Sequence, residues 1–195
     1  MQRKDRDAVL DLVNVMKRMY LRGLISSFTG NASIRMDDGI LITPSGIPKW
    51  SLRPADIVKI DFSGNVLWGI HAPSSERRMH LAIYSVRNDV HAIVHTHSPY
   101  TLSLFERLIE YLEEVAEFQK IVGKIEVVEY APPGSLKLAR LAEEKARNKM
   151  VGALILKRHG VICIAEDIYS AYAKAEIMEE NAKVLYIHET IGKRI

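Results

Sequence analysis

The sequence predicts a single domain of the α/β class, for three reasons. Amphipathic stretches at helical spacing alternate with short apolar runs of strand length. Two of those runs, 152–156 and 161–165, are apolar almost throughout, as buried strands are. The 195 residues, 48% of them apolar, suffice for one core, and no linker, low-complexity tract or internal repeat divides them, so one domain is expected over 1–195.

Taken in order, residues 5–22 carry Val9, Leu10, Leu12, Val13, Met16, Met19 and Tyr20 at helical spacing, with Gly23 as the C-terminal stop. A turn-rich segment, 26–35, runs into an alternating strand; Asp37-Asp38-Gly39 predicts a hairpin turn and 40–43 its partner strand. Segments 57–62 and 66–68 read as strands around the turn Ser63-Gly64-Asn65. Met79, Leu81, Ala82, Tyr84 and Val86 predict a helix starting near Ser74. A buried strand over 92–98 stops at Ser98-Pro99, and 99–120 is helical but irregular. Residues 125–130 predict a strand ended by Ala131-Pro132-Pro133-Gly134, and Ser135 caps a helix to about Lys149. Lys157-Arg158-His159-Gly160 separates the last two strands in hairpin fashion, and Asp167 caps a long helix carrying Ala171, Ala175, Met178, Ala182, Leu185 and Ile187.

Composition narrows the function. The formal net charge is +3 and basic residues come in scattered doublets such as Arg77-Arg78 and Lys157-Arg158, so no nucleic-acid surface is expected, while a phosphorylated small substrate suits the balance. Cys163 is the only cysteine, which excludes an internal disulfide and points to a reducing compartment. No apolar run approaches the length of a membrane span, so a soluble, cytoplasmic protein is expected.

The chemistry centres on His95-Thr96-His97. In a strand, residues two apart project from one face with Cα atoms about 7 Å apart, a spacing one metal ion bridges. By itself the pair is better explained by one ring hydrogen-bonded in the core beside one exposed ring. Gly30-Asn31 and Thr43-Pro44-Ser45-Gly46 lie where the two hairpin strands end away from their turn, and such loops offer N–H groups and hydroxyls to an anion. Ser74, Ser75 and Glu76 open a predicted helix, where hydroxyls and free amides suit a phosphate; simple capping explains the same pattern. His159-Gly160 places a third imidazole where it can reach inward across the sheet. His71, His80, His91 and His188 are lone histidines read as structural or surface residues, Trp50 and Trp68 as packing residues, Cys163 as an inert core thiol, and Arg35 as pairing with a carboxylate in the sheet.

Gly30-Asn31-x-Ser33-x-Arg35, Thr43-Pro44-Ser45-Gly46, Ser74-Ser75-Glu76, His95-x-His97 and His159-Gly160 occur together in the order and approximate spacing of the class II aldolase/adducin family. On these motifs, which span nearly the whole chain, the sequence resembles that family. The resemblance implies α/β/α layers with a central, mainly antiparallel mixed sheet flanked by helices. It also implies a homotetramer with active sites near subunit interfaces and one Zn²⁺ per subunit. Carried over by position, His95, His97 and His159 are the metal ligands. Glu76 is the catalytic base and a ligand of the substrate-free metal. Gly30, Asn31, Ser45, Gly46, Ser74 and Ser75 contact the substrate phosphate. Phe28 stands where the family often has a small hydroxyl residue, which alters the rim of that pocket. Tyr111 is a candidate for the tyrosine acid supplied by a neighbouring subunit.

The implied reaction is zinc-dependent, reversible cleavage of L-fuculose 1-phosphate or a related ketose 1-phosphate to dihydroxyacetone phosphate and an aldehyde such as L-lactaldehyde. Alternatives within the family are an L-ribulose-5-phosphate 4-epimerase-like or a methylthioribulose-1-phosphate dehydratase-like enzyme. A non-catalytic adducin-like interaction module is the alternative of a different class.

Overall fold

A computed structural model describes residues 3–114 and 116–191. Six helices are seen among them: α1 (Arg3–Leu21), α2 (Arg77–Val86), α3 (Pro99–Glu114), α4 (Ala116–Val122), α5 (Leu136–Ala146) and α6 (Ile168–Ile191). The strands are β1 (Asn31–Met36), β2 (Gly39–Ile42), β3 (Val58–Ile60), β4 (Val66–Trp68), β5 (Ala92–Thr96), β6 (Lys124–Val128), β7 (Val151–Leu156) and β8 (Gly160–Ala165). They form one sheet in the order β4-β3-β2-β1-β5-β8-β7-β6. Every neighbouring pair is antiparallel except the edge pair β6–β7, so the expected mainly antiparallel mixed sheet is what the chain builds.

Strand alternation sorts the apolar side chains into two cores. Leu41, Ala92, Val94, Ala153, Ile155, Val161 and Cys163 face one side and pack against α1, α3 and α6 through residues such as Leu12, Met16, Leu108, Ala175 and Met178. Ile40, Ile42, Ile93, Leu154, Ile162 and Ile164 face the other and meet Met79 and Ile83 of α2 and Leu138 and Ala142 of α5. This is the three-layer arrangement, and it explains why β5, β7 and β8 are apolar on both faces. Cys163 lies wholly inside the first core, where burial pushes its thiol up to about 12, consistent with an inert packing residue.

Local expectations hold where local chemistry decides. Asp167 Oδ1 accepts from the amides of Tyr169 and Ser170, and Ser135 Oγ from Leu138, so both cap as read. The irregularity over 99–120 is a kink at Leu104 and a break between α3 and α4. Elsewhere distant contacts intervene. α2 begins at Arg77, not near Ser74, because Pro73 bridges Pro44 and the Ser74 amide donates to Thr43 O, which holds 73–76 as a turn. α5 stops at Ala146, short of Lys149, because Arg87 gathers the carbonyls of Ala146, Asn148, Lys149 and Val151. Arg35 donates to the carbonyls of Tyr84, Arg87 and Val90 and lies over the Tyr84 ring instead of pairing with a carboxylate. Trp50, read as a packing residue, is 57% exposed.

Glu179 on α6 was invisible to pattern reading. Buried, it accepts from the amides of Tyr100 and Thr101 and from the Thr101 hydroxyl, closing the start of α3 onto α6. Exchange of Glu179 for Ala strands those donors in the core. Urea unfolding is expected to show a loss of about 3 kcal/mol, and about half that for Glu179→Gln, which keeps one acceptor.

Candidate active site

The site is built where β1, β5 and the β7–β8 turn end together. β1 pairs with β5 so that Asn31 stands opposite His95, and β8 lies on the other side of β5 with Ile162 opposite His95. His95 shares the Ile93 face of β5, the face covered by α2. His97 follows the end of the strand, its amide donating to Leu24 O. His159 closes the β7–β8 turn behind Arg158, whose φ of 58° sets the left-handed bend. Gly160 makes room for the His95 ring, since a Cβ there would stand 2.4 Å from its Cε1 and 2.4 Å from Thr96 O.

The three imidazoles that the sequence placed on separate segments converge. One ring nitrogen from each of His95, His97 and His159 falls within 4.8 Å of the others. His95 Nδ1 donates to Val161 O at 3.2 Å, which leaves Nε2 unprotonated in the neutral ring. That Nε2 lies 3.1 Å from His97 Nε2, and two nitrogens on a tetrahedral Zn²⁺ stand about 3.3 Å apart. Burial, reinforced by the neighbouring rings, holds His95 well below its ordinary 6.5, and burial chiefly lowers His97 and takes His159 to about 4. All three therefore offer lone pairs at neutral pH. His159 Nδ1 is buried without a hydrogen-bond partner among the described residues, a polar atom left over as in a ligand cluster. The donor set and its spacing fit a divalent ion of the zinc type.

Glu76 is buried at the N-terminal edge of α2 and stands outside that compact group. Burial raises its carboxyl above the usual range, opposed by a hydrogen bond from the Gly134 amide, and Oε2 has no partner among the described residues. A buried carboxyl with one free oxygen and a raised pKa is equipped to take and return a proton.

The loops read as phosphate contacts are drawn together by backbone bonds. Thr43 N donates to Ala32 O, Ser45 N to Ala72 O and Ser74 N to Thr43 O. Gly30 and Gly46 both have φ of 73°, and a Cβ on Gly30 would meet Ile25 Cγ2 at 2.3 Å and His95 O at 2.8 Å. Ser45, Gly46 and Ser75 are exposed, while Asn31 and Ser74 are buried, Ser74 Oγ accepting the Glu76 amide. Two residues were missed. Lys49 is buried, with its Nζ on the carbonyls of Pro44 and Ile47 and its amide on Ser27 O, so a cation ties the two loops from beneath. His80, read as a lone histidine, is fully buried and bonded to Asn31 and Ser33; only the Glu76-to-His80 spacing, one helical turn, signalled it. Tyr111 is half-buried on α3 against the main core.

Residues 10–186 match the family described as the Class II Aldolase and Adducin N-terminal domain. The chain belongs to the class II aldolase and adducin family. Among curated family members it is 37% identical over 183 residues to the L-fuculose phosphate aldolase of Methanocaldococcus jannaschii, covering 93% of this chain and 97% of that protein. It is 35% identical over 182 residues to the 3-oxo-tetronate 4-phosphate decarboxylase of Haemophilus influenzae, covering 90% of this chain and 85% of that one. A solved L-fuculose 1-phosphate aldolase superposes with a TM-score of 0.83 at 32% identity, covering 95% of this chain and 88% of the other. Family members thus act on phosphorylated sugars or sugar acids, with different reactions under one fold.

Gly160→Ala is expected to push the His95 ring out of the cluster and lower zinc affinity by about tenfold or more, with the far-UV spectrum unchanged; equilibrium dialysis against a zinc buffer measures it. Proton linkage gives a second expectation. In metal-free protein the unfolded chain protonates these imidazoles near 6.5, whereas the fold holds His159 at about 4 and His80 at about 3. The unfolded state binds more protons in that window, so stability falls as pH drops from about 6.5 towards 4. A urea midpoint in chelator-treated protein that is no lower at about pH 5 than at about pH 7 contradicts this.

Proposed function

We propose that the chain is a zinc-dependent aldolase that reversibly cleaves L-fuculose 1-phosphate, or a related ketose 1-phosphate, to dihydroxyacetone phosphate and an aldehyde. The observation that carries this reading is the convergence of three neutral imidazoles together with a buried carboxyl whose Oε2 is unpartnered. The fuculose-phosphate names of two relatives support the substrate. An adducin-like interaction module has no use for such a set, since unpaired buried polar atoms cost stability unless a ligand engages them.

His95, His97 and His159 would hold the ion, which supplies Lewis-acid stabilisation of negative charge on the substrate's oxygens. Glu76 takes the proton from the hydroxymethyl carbon of dihydroxyacetone phosphate in condensation and returns it in cleavage. Asn31, Ser45, Ser74 and Ser75, with the amides of Gly30 and Gly46, hold the phosphate, so binding energy at the non-reacting end fixes geometry at the carbon that reacts. Burial around Glu76 keeps its conjugate acid competent to give the proton back. No Schiff-base lysine is required.

We read the protein as a cytoplasmic homotetramer with active sites near subunit interfaces, Tyr111 being the candidate for the tyrosine acid that a neighbouring subunit supplies. Phe28, Ile70, Tyr130 and Leu136, all exposed, flank the loops of the site and supply apolar surface for such a contact. No described helix is long and apolar enough to cross a membrane.

Purified protein is to be assayed with L-fuculose 1-phosphate, L-ribulose 5-phosphate, methylthioribulose 1-phosphate and 3-oxo-tetronate 4-phosphate. Release of dihydroxyacetone phosphate from the first is expected; turnover of another substrate alone reassigns the reaction. Glu76→Gln should lower aldol turnover by about 10³-fold while elemental analysis finds zinc unchanged. Undiminished turnover removes Glu76 as the base.

A further inference from the structure

Behind Asn31 runs a buried chain of polar side chains that no step above uses. His80 Nε2 is 2.6 Å from Asn31 Oδ1, His80 Nδ1 is 2.7 Å from Ser33 Oγ, and Ser33 Oγ is 2.9 Å from the Tyr84 hydroxyl, which also donates to Ser33 O at 3.1 Å. Ser33 and His80 are 0% exposed, Tyr84 1% and Asn31 5%. Only Asn31 reaches the site. The chain exists because residues 31 and 33 share the α2 face of β1, while His80 and Tyr84, four apart, share one face of α2.

The protons in this chain can be arranged in two ways. In one, Ser33 donates to His80 Nδ1, the Tyr84 hydroxyl spends its one proton on Ser33 O, the imidazole carries its proton on Nε2 and donates to Asn31 Oδ1, and the carboxamide turns its NH₂ away from His80. In the other, His80 Nδ1 donates to Ser33, Nε2 accepts, and the amide must flip to present Nδ2 inward. A neutral imidazole is required for either, and burial, which lowers His80 to about 3, secures that. The contact of Nε2 with Oδ1 belongs to the first arrangement. In it, Asn31 Nδ2 has no partner among the described residues and is not sealed from solvent. A free NH₂ serves acceptors only, which is what the oxygens of a phosphate monoester are.

We infer that His80 is a positioning residue for the anionic end of the substrate: through its Nε2–H bond it locks the Asn31 carboxamide with the NH₂ group presented to phosphate, Ser33 donating to Nδ1 behind it. This rests on the proposed phosphate role of Asn31. Selectivity for a phosphorylated over an unphosphorylated ketose is then set partly by α2, from a side chain that never touches substrate. The same β1–β5 register carries His95 opposite Asn31, so the lock holds the phosphate contact at a fixed place relative to the imidazole cluster.

The test titrates inorganic phosphate into the intact protein and its variants Asn31→Ala, His80→Gln, His80→Asn and Asn31→Ala/His80→Asn, with thermal melts and, on L-fuculose 1-phosphate, KM and kcat. Glutamine puts an N–H donor where Nε2 stands; asparagine reaches only as far as Nδ1 and leaves Asn31 unheld. His80→Asn is expected to weaken phosphate binding about tenfold and raise KM by a similar factor, with kcat changed less than about threefold. His80→Gln stays within about threefold of wild type, and the double variant loses no more than Asn31→Ala alone. Ser33→Ala, which changes little volume, is a second handle should position 80 tolerate no exchange, with about threefold weaker phosphate binding expected. Melting temperatures that fall while phosphate affinity does not, or losses that add in the double variant, overturn the inference. Coupled loss of phosphate binding without cleavage of any ketose phosphate upholds it and removes the aldolase reading; cleavage with phosphate affinity indifferent to positions 33 and 80 does the reverse.

Discussion

The pairing of β1 with β5 is the constraint on which the site depends. With Asn31 opposite His95, one ladder of backbone hydrogen bonds sets the separation between the Gly30-Asn31 loop and the strand that carries His95 and leads into His97. A one-residue slip of β5 against β1 would turn His95 to the opposite face of the sheet, into the core packed by α1 and α6, while Asn31 stayed on the α2 side. The register is protected by burial on both sides of β5, and by Gly30 and Gly160, whose missing Cβ atoms leave space for His95 O and the His95 ring. The central position of β5 in the eight-stranded sheet is thus also what makes the site rigid.

Around that frame the electrostatics divide into two parts. Burial holds the three imidazoles in their neutral forms, so their lone pairs are available to a cation, and the same burial raises the Glu76 carboxyl. The rim is different. Lys49 is held under the 43–46 loop by carbonyl oxygens, its positive charge met by dipoles, and the loop above it presents Ser45 and Gly46 to solvent.

Much of this was legible in the chain itself. The two-residue period of a strand put both rings of His95-x-His97 on one face, and their Nε2 atoms do meet, although the strand ends at Thr96 and His97 is held by its amide on Leu24 O. The caps at Ser135 and Asp167 and the turn before Gly160 followed from side-chain chemistry within a few residues. What could not be read were pairings between distant segments. The start of α2 depends on Pro44 meeting Pro73, and the end of α5 on Arg87, whose partners lie about sixty residues away. His80 looked solitary because its partners, Asn31 and Ser33, stand on a strand that only the sheet brings beneath α2.

The sequence by itself determined the element types, the two-faced apolar patterning of the sheet, and the candidate ligands with their family, because hydrophobic period, capping and motif spacing are local properties of the chain. Tertiary structure alone decided that His159 joins His95 and His97, that Glu76 keeps an unpartnered oxygen, and that His80 backs Asn31. Those outcomes depend on strand order, register and burial, which are set by the packing of segments far apart in the chain and leave no local mark on it.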